Sequence, residues 1–131
     1  MLFWMEGHIS IVQLLLRNGV DINTPPMRYK GFTALQGVAF GGHGDILKLL
    51  LDAGANVNAR GSYYNGYTAL SAAAKGGHRQ IVEALLQAGA DVSIASGNTL
   101  WTPSRIAIFR GHTDIAQLLK KREVWGCQAV D

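Results

Sequence analysis

The sequence contains one cysteine, three prolines and no long hydrophobic run. Because a single thiol, Cys127, cannot form an internal disulfide, no disulfide framework holds the fold. Such a chain suits a reducing compartment, and we expect an intracellular protein of the cytoplasm or nucleus. The longest apolar runs, such as IVQLLL, are too short to span a bilayer, so we expect no membrane partner.

Charged residues are also few, at 16% of the chain, whereas hydrophobic residues make up 48%. This balance is too apolar for a disordered chain and is sufficient for a packed core. A length of 131 residues predicts one domain, residues 1–131. The formal net charge of +3 is weak evidence for a nucleic-acid partner.

Motifs that carry catalysis are missing from the sequence. It has no G-x-S-x-G nucleophile motif, no H-E-x-x-H zinc motif and no phosphate-binding P-loop. The glycine-rich string AFGGHG at 39–44 has no preceding strand, and we interpret it as a turn between two helices. We therefore predict a protein that is not an enzyme and that needs no cofactor.

An internal repeat is the strongest positive signal. Gly-His pairs recur at spacings of 35, 35 and 34 residues, at positions 7–8, 42–43, 77–78 and 111–112. The segments GVDIN, GANVN and GADVS keep the same step, as do the triplets Thr-Ala-Leu, Thr-Ala-Leu and Thr-Pro-Ser. Three landmarks that share one period indicate a stack of repeated structural units.

Each unit is predicted to contain two helices. The segment TALSAAAKGGH has small residues of good helix propensity, and Thr68 is suited to cap the first helix. After a glycine turn, HRQIVEALLQAGA places apolar residues at helical spacing, which predicts a second helix with one buried face. We expect that face to comprise Ile81, Val82, Ala84 and Leu85, with Ile46, Leu49 and Leu50 and with Ile11, Leu14 and Leu15 as its equivalents.

Neighbouring units are expected to pack closely. Ala39, Ala73, Ala74 and Ala107 are small residues on the first helices, and they let an adjacent unit approach. Glycines follow the last apolar turn of each second helix, where a left-handed helix stop is expected. These glycines are Gly19, Gly54 and Gly89.

The motifs together resemble the ankyrin-repeat family. Its pattern of T-P-L-H-x-A, a G-H turn, a leucine-rich helix and G-A-D-V-N is matched by residues 66–93 and 31–58. The resemblance covers about residues 7–122. It implies an all-α ankyrin-repeat solenoid of antiparallel helix pairs with hairpin-like finger loops, whose concave face binds another protein. The units are predicted at about 1–30, 31–65, 66–99 and 100–131.

The sequence departs from that family pattern at several points. The histidine of T-P-L-H is Gln36, Ser71 or Arg105 here, so its loop-bracing hydrogen bond is expected to be absent or altered. The unit has 35 residues rather than the usual 33, and the added residues fall in loops 23–32 and 58–67. We therefore expect long fingers. We expect a truncated first unit, because only MLFWMEG stands where a full first helix belongs, and KKREVWGCQAVD replaces the last G-A-D-V-N.

Four histidines at the repeat spacing invite a metal interpretation, which we reject. Helices of adjacent units pack about 8–10 Å apart, whereas zinc requires ligand nitrogens within about 2.1 Å of one centre. We expect no metal site and interpret each imidazole as a brace for the turn between its two helices. The residues concerned are His8, His43, His78 and His112.

Aromatic and basic residues cluster in the fingers and first helices, and these residue types anchor protein interfaces. For Phe32, Tyr67 and Trp101, which directly precede a helix start, we favour packing beneath the fingers. Trp101 is also included in the predicted partner-binding set. That set is Met27, Arg28, Tyr29, Lys30, Phe40, Arg60, Tyr63, Tyr64, Lys75, Trp101, Phe109 and Arg110.

Charge is strongly divided between the two sides of the predicted unit. Segments 24–43, 59–78 and 94–112, the fingers with their first helices, contain six basic residues and no acidic residue. All nine acids lie elsewhere, mostly on the second helices and the loops after them. We therefore expect a partner protein with an acidic surface.

Two other functions share this surface. The aromatic residues could wall an apolar pocket for a small-molecule ligand, or even an unusual catalytic site, although that side lacks a carboxylate for acid–base chemistry. A deep pocket would favour this alternative. Nucleic-acid binding through aromatic stacking is the less favoured alternative, because the basic residues are dispersed and no recognised module is present.

Overall fold

The computed structural model describes residues 33–59, 67–95 and 101–129, together with Gln13, Arg17 and Asn23, and describes side chains in the last range as far as Glu123. The described ranges form six helices and no strand, which confirms the predicted all-α fold. The helices are α1 (Ala34–Gly41), α2 (Gly44–Asp52), α3 (Ala69–Gly76), α4 (Arg79–Gln87), α5 (Pro103–Phe109) and α6 (Thr113–Ala129).

The helices form three pairs that stack on one another. The first helices of the pairs, α1, α3 and α5, make the main contacts between pairs, and the second helices, α2, α4 and α6, touch less extensively. Close approach of the first helices depends on their alanines. Ala39, Ala73, Ala74 and Ala107 are all completely buried, as predicted.

Threonine side chains cap two of the first helices, α1 and α3, whereas Thr102 at the start of α5 makes no side-chain cap hydrogen bond. The Thr68 hydroxyl accepts a hydrogen bond from the Ser71 backbone N–H at 3.2 Å, which confirms the predicted cap. At the start of α1 the cap is reciprocal. Thr33 Oγ1 accepts from the Gln36 N–H at 3.3 Å, and Gln36 Oε1 accepts from the Thr33 N–H at 2.7 Å. Two backbone donors that have no partner inside the helix are thereby satisfied.

The Gln36 side chain also connects the helix to a neighbouring loop. Its Nε2 donates to the Ala59 carbonyl oxygen at 2.8 Å. The loop-bracing bond that was expected to be absent or altered is therefore retained at this position by an amide. One buried residue holds both the start of α1 and the chain that follows α2.

We expect Gln36→Ala to reduce the free energy of unfolding by about 1–3 kcal/mol, because the Ala59 carbonyl and the buried Thr33 N–H lose their partners. Urea denaturation followed by circular dichroism measures this loss. Gln87→Ala is the control, since Gln87 is an exposed glutamine on α4. Equal unfolding midpoints for the two variants would contradict the proposed role of Gln36.

The second helices supply the larger apolar side chains of the core. Ile81, Val82 and Leu85 of α4 are buried as predicted, whereas Ala84 is only half-buried. In α2 the prediction for Leu49 is wrong: Leu49 is half-buried, and Leu47 is 1% exposed. At about 100° per residue, Leu49 lies on the edge of the buried face, on the side opposite Leu47. The buried apolar residues of the described second helices are Ile46, Leu47, Leu50, Ile81, Val82, Leu85, Leu86, Ile115, Ala116 and Leu119.

The Gly-His turns fit together between neighbouring helix pairs. Gly42 and Gly77 have left-handed φ values of 78° and 76°. A Cβ atom on Gly42 would lie 2.6 Å from the His78 ring, and one on Gly77 would lie 2.6 Å from the His112 ring. Each imidazole therefore covers the turn of the preceding pair.

A hydrogen bond accompanies this packing at one of the turns. His78 Nε2 lies 2.9 Å from the Phe40 carbonyl oxygen, 38 residues earlier in the chain. Because a carbonyl only accepts, the Nε2–H is the donor. The histidine thus braces two units together, rather than only the turn between its own helices as we had interpreted it.

The second helices end in two different ways. Gly54 and Gly89 have φ values of 96° and 94° and terminate α2 and α4, which confirms the predicted stops. One repeat later the chain has Glu123, and α6 continues as a helix to Ala129. The Glu123 carboxylate accepts a hydrogen bond at 2.8 Å from the buried hydroxyl of Ser104. The degenerate end of the repeat pattern is therefore an extended helix tied to α5.

Asparagines connect the loops that follow successive second helices. Asn58 Nδ2 donates to the Gly89 carbonyl at 3.2 Å, and Asn58 Oδ1 accepts from the Asp91 N–H at 2.7 Å. Asn23 makes the equivalent bonds one repeat earlier: its Nδ2 donates to the Gly54 carbonyl and its Oδ1 accepts from the Asn56 N–H. One repeat after Asn58 the chain has Ser93. Its hydroxyl and its N–H donate to Asp91 Oδ1 at 2.6 and 2.9 Å.

These two bonds from Ser93, the hydroxyl contributing most, lower the pKa of Asp91 below its usual value of 3.8. A lowered folded-state pKa stabilises the fold above pH 3.8, and this contribution is lost as the pH falls through the folded-state pKa. We expect Ser93→Ala to raise the Asp91 pKa, as measured by NMR titration of its carboxyl carbon. Ser104→Ala, which removes a hydroxyl bonded to Glu123 instead, is the control.

Candidate functional site

Five of the twelve predicted partner-binding residues lie in the described part of the chain. They are Phe40, Lys75, Trp101, Phe109 and Arg110. Phe40, Lys75 and Phe109 occupy equivalent positions one repeat apart, so they follow one another along the stacked first helices. The remaining seven lie outside the described residues, namely Met27, Arg28, Tyr29, Lys30, Arg60, Tyr63 and Tyr64.

Lys75 lies among aromatic groups from its own unit and from the preceding one. Its Nζ donates to the Tyr67 hydroxyl at 3.2 Å and lies 4.6 Å from the centre of the Tyr67 ring. The Phe40 ring centre is 5.9 Å away. These contacts lie within the range in which a ring face attracts a cation, so aromatic groups hold the ammonium in place in the described structure.

Trp101 is also held by two neighbours. Its ring meets the Phe109 ring edge-on, with centres 5.0 Å apart and planes at 72°. The Arg105 guanidinium carbon lies 5.8 Å from the Trp101 ring centre. Both arrangements are favourable aromatic contacts. Packing therefore positions Trp101, and its half-buried ring still forms part of a surface.

An open cleft of about 400 Å³ lies between the second and third helix pairs, and these aromatic and basic side chains form part of its lining. We call it the first-helix cleft, and it is lined by Tyr67, Lys75, Trp101, Ile106, Phe109 and Arg110. Ile106 was not in the predicted binding set, and Tyr67 was predicted to serve packing alone. The sequence could have indicated Ile106 as a lining residue, because it lies three residues before Phe109 and hence on the same helix face.

The charge of the cleft is positive and uncompensated within the described structure. Neither Lys75 nor Arg110 forms an ion pair with a described residue, and no described carboxylate lines the cleft. The ion pairs seen in these ranges lie on the second helices, where Arg79 meets Glu83 at 3.2 Å and Asp114 at 3.7 Å. Among the described residues, the cleft therefore carries two cations and no acid, whereas cations and acids pair on the second helices.

A larger groove, of about 700 Å³, runs between α2 and α4. Its walls include the cations Lys48 and Arg79 and the anion Asp52, and its floor includes the buried Leu47 and Ile81. Both charge signs are present in its described lining, and no described tyrosine, tryptophan or phenylalanine ring lines it. We therefore treat the smaller cleft as the candidate site.

Two further classes of site are missing from the described ranges. No group of three or more histidine, cysteine, aspartate or glutamate side chains is arranged there to hold a metal ion. None of the helices in those ranges is both long enough and apolar enough to cross a membrane.

The chain matches a known protein family over almost its whole length. A family model described as ankyrin repeats (3 copies) matches residues 1–61 and 60–128. A search of curated proteins returns no match. Ankyrin repeats are generally modules for protein–protein interaction and are typically non-catalytic. The stacked helix pairs, the Gly-His turns and this match across almost the whole chain place the protein in the ankyrin-repeat family.

Proposed function

We propose that this protein is a non-enzymatic interaction module that binds an acidic protein surface with its first helices and finger loops. The observation that carries the proposal is the placement of two cations without ion-pair partners among the described residues, Lys75 and Arg110, beside the exposed ring of Phe109. Opposite charge on a partner would complement the cations, and an apolar contact would cover the ring.

The exposed aromatic residues support binding rather than a purely structural role. Phe109 is 72% exposed and Phe40 is 41% exposed, although both belong to helices whose other faces are buried. Covering a phenylalanine side chain completely is worth about 1.5–3 kcal/mol. Residues of this kind, next to tyrosine, tryptophan and arginine, are the usual energetic centres of protein interfaces.

The composition of the cleft also favours binding over catalysis. Its described lining contains no carboxylate, imidazole or thiol that could act as a general base or nucleophile. We propose that the protein acts in the cytoplasm or nucleus, an inference that rests only on its single cysteine.

Affinity capture from native extract tests the proposal. The bait is the parent protein, and the test variant carries alanine at Arg28, Arg60, Tyr63 and Tyr64. The control variant carries alanine at Lys48, Lys120 and Lys121, which are cations on the second helices. We expect the parent and the control to retain the same proteins and the test variant to lose them. Loss in both variants, or in neither, would contradict binding through the fingers.

The charge of the surface predicts a strong effect of salt. For a captured partner, we expect the association rate constant to fall about tenfold or more between low and physiological ionic strength, because salt screens the steering field. Stopped-flow measurements with the purified partner give this rate. A rate constant that stays the same across the salt series would contradict an acidic partner surface.

A further inference from the structure

We infer that the first-helix cleft recognises an aspartate or glutamate adjacent to a large apolar side chain, in an extended segment of a partner protein. This inference rests on the proposed function and specifies the chemistry at one part of the surface. It commits to a peptide segment as the occupant. The cleft indicates three properties of that segment, namely its charge, its apolar side chain and its extent beyond the cleft.

The charge is indicated by the donors of Lys75. An ammonium group has three N–H donors, and in the described structure one of them bonds the Tyr67 hydroxyl. The rings of Tyr67 and Phe40 fix the position of the ammonium without neutralising it. Two donors therefore remain for an anionic acceptor that enters the cleft.

Arg110 provides a second cation at the same cleft. It follows the last residue of α5, and its side chain is exposed. A guanidinium presents paired donors that match the two oxygens of a carboxylate. Because no described acid competes for either cation, a carboxylate is the complementary group from a partner.

The apolar side chain of the ligand is indicated by the apolar wall of the cleft. Trp101, Ile106 and Phe109 form that wall, and the edge-on contact between Trp101 and Phe109 holds both rings in place. A cleft of about 400 Å³ lies at the lower end of the size range of ligand pockets, which is about 300–1,000 Å³. It therefore suits one or two side chains rather than a folded domain.

The exposure of the wall favours a peptide over a free small molecule. A pocket for a small molecule typically covers about 70–90% of the ligand surface. Here Phe109, which forms part of the wall, is itself 72% exposed, so the described walls do not enclose a small ligand. A chain that continues past the cleft can also cover Phe40, which lies against Lys75 in the preceding unit.

Synthetic peptides test the ligand chemistry directly. The probe is acetyl-Gly-Ser-Asp-Phe-Gly-Ser-amide, titrated into the parent protein by NMR, with the Trp101 indole signal as the readout. Two matched peptides replace the aspartate by asparagine or the phenylalanine by alanine. We expect each replacement to weaken binding about tenfold, which corresponds to about 1.4 kcal/mol. Equal affinity for all three peptides would overturn the inference.

Protein variants locate the binding. Lys75→Gln and Phe109→Ala should each reduce the affinity for the Asp-Phe peptide about tenfold, which corresponds to about 1.4 kcal/mol. Ile108→Ala is the matched control for Phe109, because Ile108 is 49% exposed on the same helix but does not line the cleft. Lys48→Gln controls for the loss of one positive charge. Unchanged affinity in both cleft variants would overturn the assignment to this cleft, and Phe109→Ala preserves the test if Lys75→Gln does not fold.

The outcomes separate this inference from the proposed function. If the peptide does not bind but the finger variant still loses captured proteins, the cleft chemistry is wrong and the interaction module remains. If N-acetylphenylalanine competes as strongly as the hexapeptide does, the occupant is a small acid and the peptide inference fails. Binding that needs the aspartate, the phenylalanine, Lys75 and Phe109 supports the inference.

Discussion

Gly42→Ala is expected to reduce the free energy of unfolding by about 2–5 kcal/mol, for two separate reasons. The first is the left-handed φ of 78°, a conformation that costs a residue with a Cβ about 1–2 kcal/mol. The second is the His78 ring, which would lie 2.6 Å from the new Cβ. Crowding of this kind in a packed site costs about 1–3 kcal/mol.

Gly54→Ala separates the two causes. Gly54 has a φ of 96°, but no described atom lies within 4 Å of the position that a Cβ would take there, so only the backbone cost applies. Urea denaturation of both variants should show the larger loss for Gly42→Ala. In a His78→Ala background, the cost of Gly42→Ala should fall to that of Gly54→Ala. If the two glycine variants lose equal stability in the parent background, the ring does not pack as described.

Leu85→Ala is expected to reduce the free energy of unfolding by about 2–5 kcal/mol, the range for truncating a fully buried leucine. Leu85 is 0% exposed and belongs to the apolar cluster that joins the three helix pairs. Removing its side chain leaves a cavity within that cluster, which the packed helices cannot close freely. Urea denaturation followed by far-ultraviolet circular dichroism measures the loss.

Ile108→Ala is the control for this truncation. Ile108 also has a branched aliphatic side chain, but it is 49% exposed on α5. A substitution at so exposed a position typically changes stability by about 0.5 kcal/mol or less. Comparable losses for the two variants would mean that burial between the stacked pairs does not dominate the stability of the array.

Local sequence signals predicted the helix ends correctly. Thr68 caps α3, and Gly54 and Gly89 end α2 and α4, because each signal depends on the conformation of one residue and its immediate neighbours. The repeat period predicted equally well which residues are equivalent. From the period alone, Phe40, Lys75 and Phe109 fall in one row along the first helices.

Contacts across units could not be predicted in the same way. The bond between His78 and the Phe40 carbonyl joins residues 38 apart, and its existence depends on how closely two turns approach. The bond between Ser104 and Glu123 arises where the repeat pattern fails and α6 continues. Neither contact has a local sequence signature.

For the candidate site, too, the sequence predicted composition but not the contacts between units. The sequence identified the aromatic and basic character of the first helices, because composition and period carry that information. It did not identify Ile106 as part of the wall, or the Tyr67 hydroxyl as the partner of Lys75, because both depend on how the side chains of the second and third helix pairs pack. The finger residues Arg28, Tyr29, Tyr63 and Tyr64 remain predictions.

The overlap of each imidazole with the preceding turn has a consequence for how the array unfolds. When a helix pair melts, its histidine leaves, and the glycine turn behind it loses its cover. The coupling between neighbours in a linear array is thereby strengthened, which favours unfolding in one cooperative step over independent melting of units. Among the described Gly-His turns, the one at Gly111 has no described atom within 4 Å of the position that a Cβ would take.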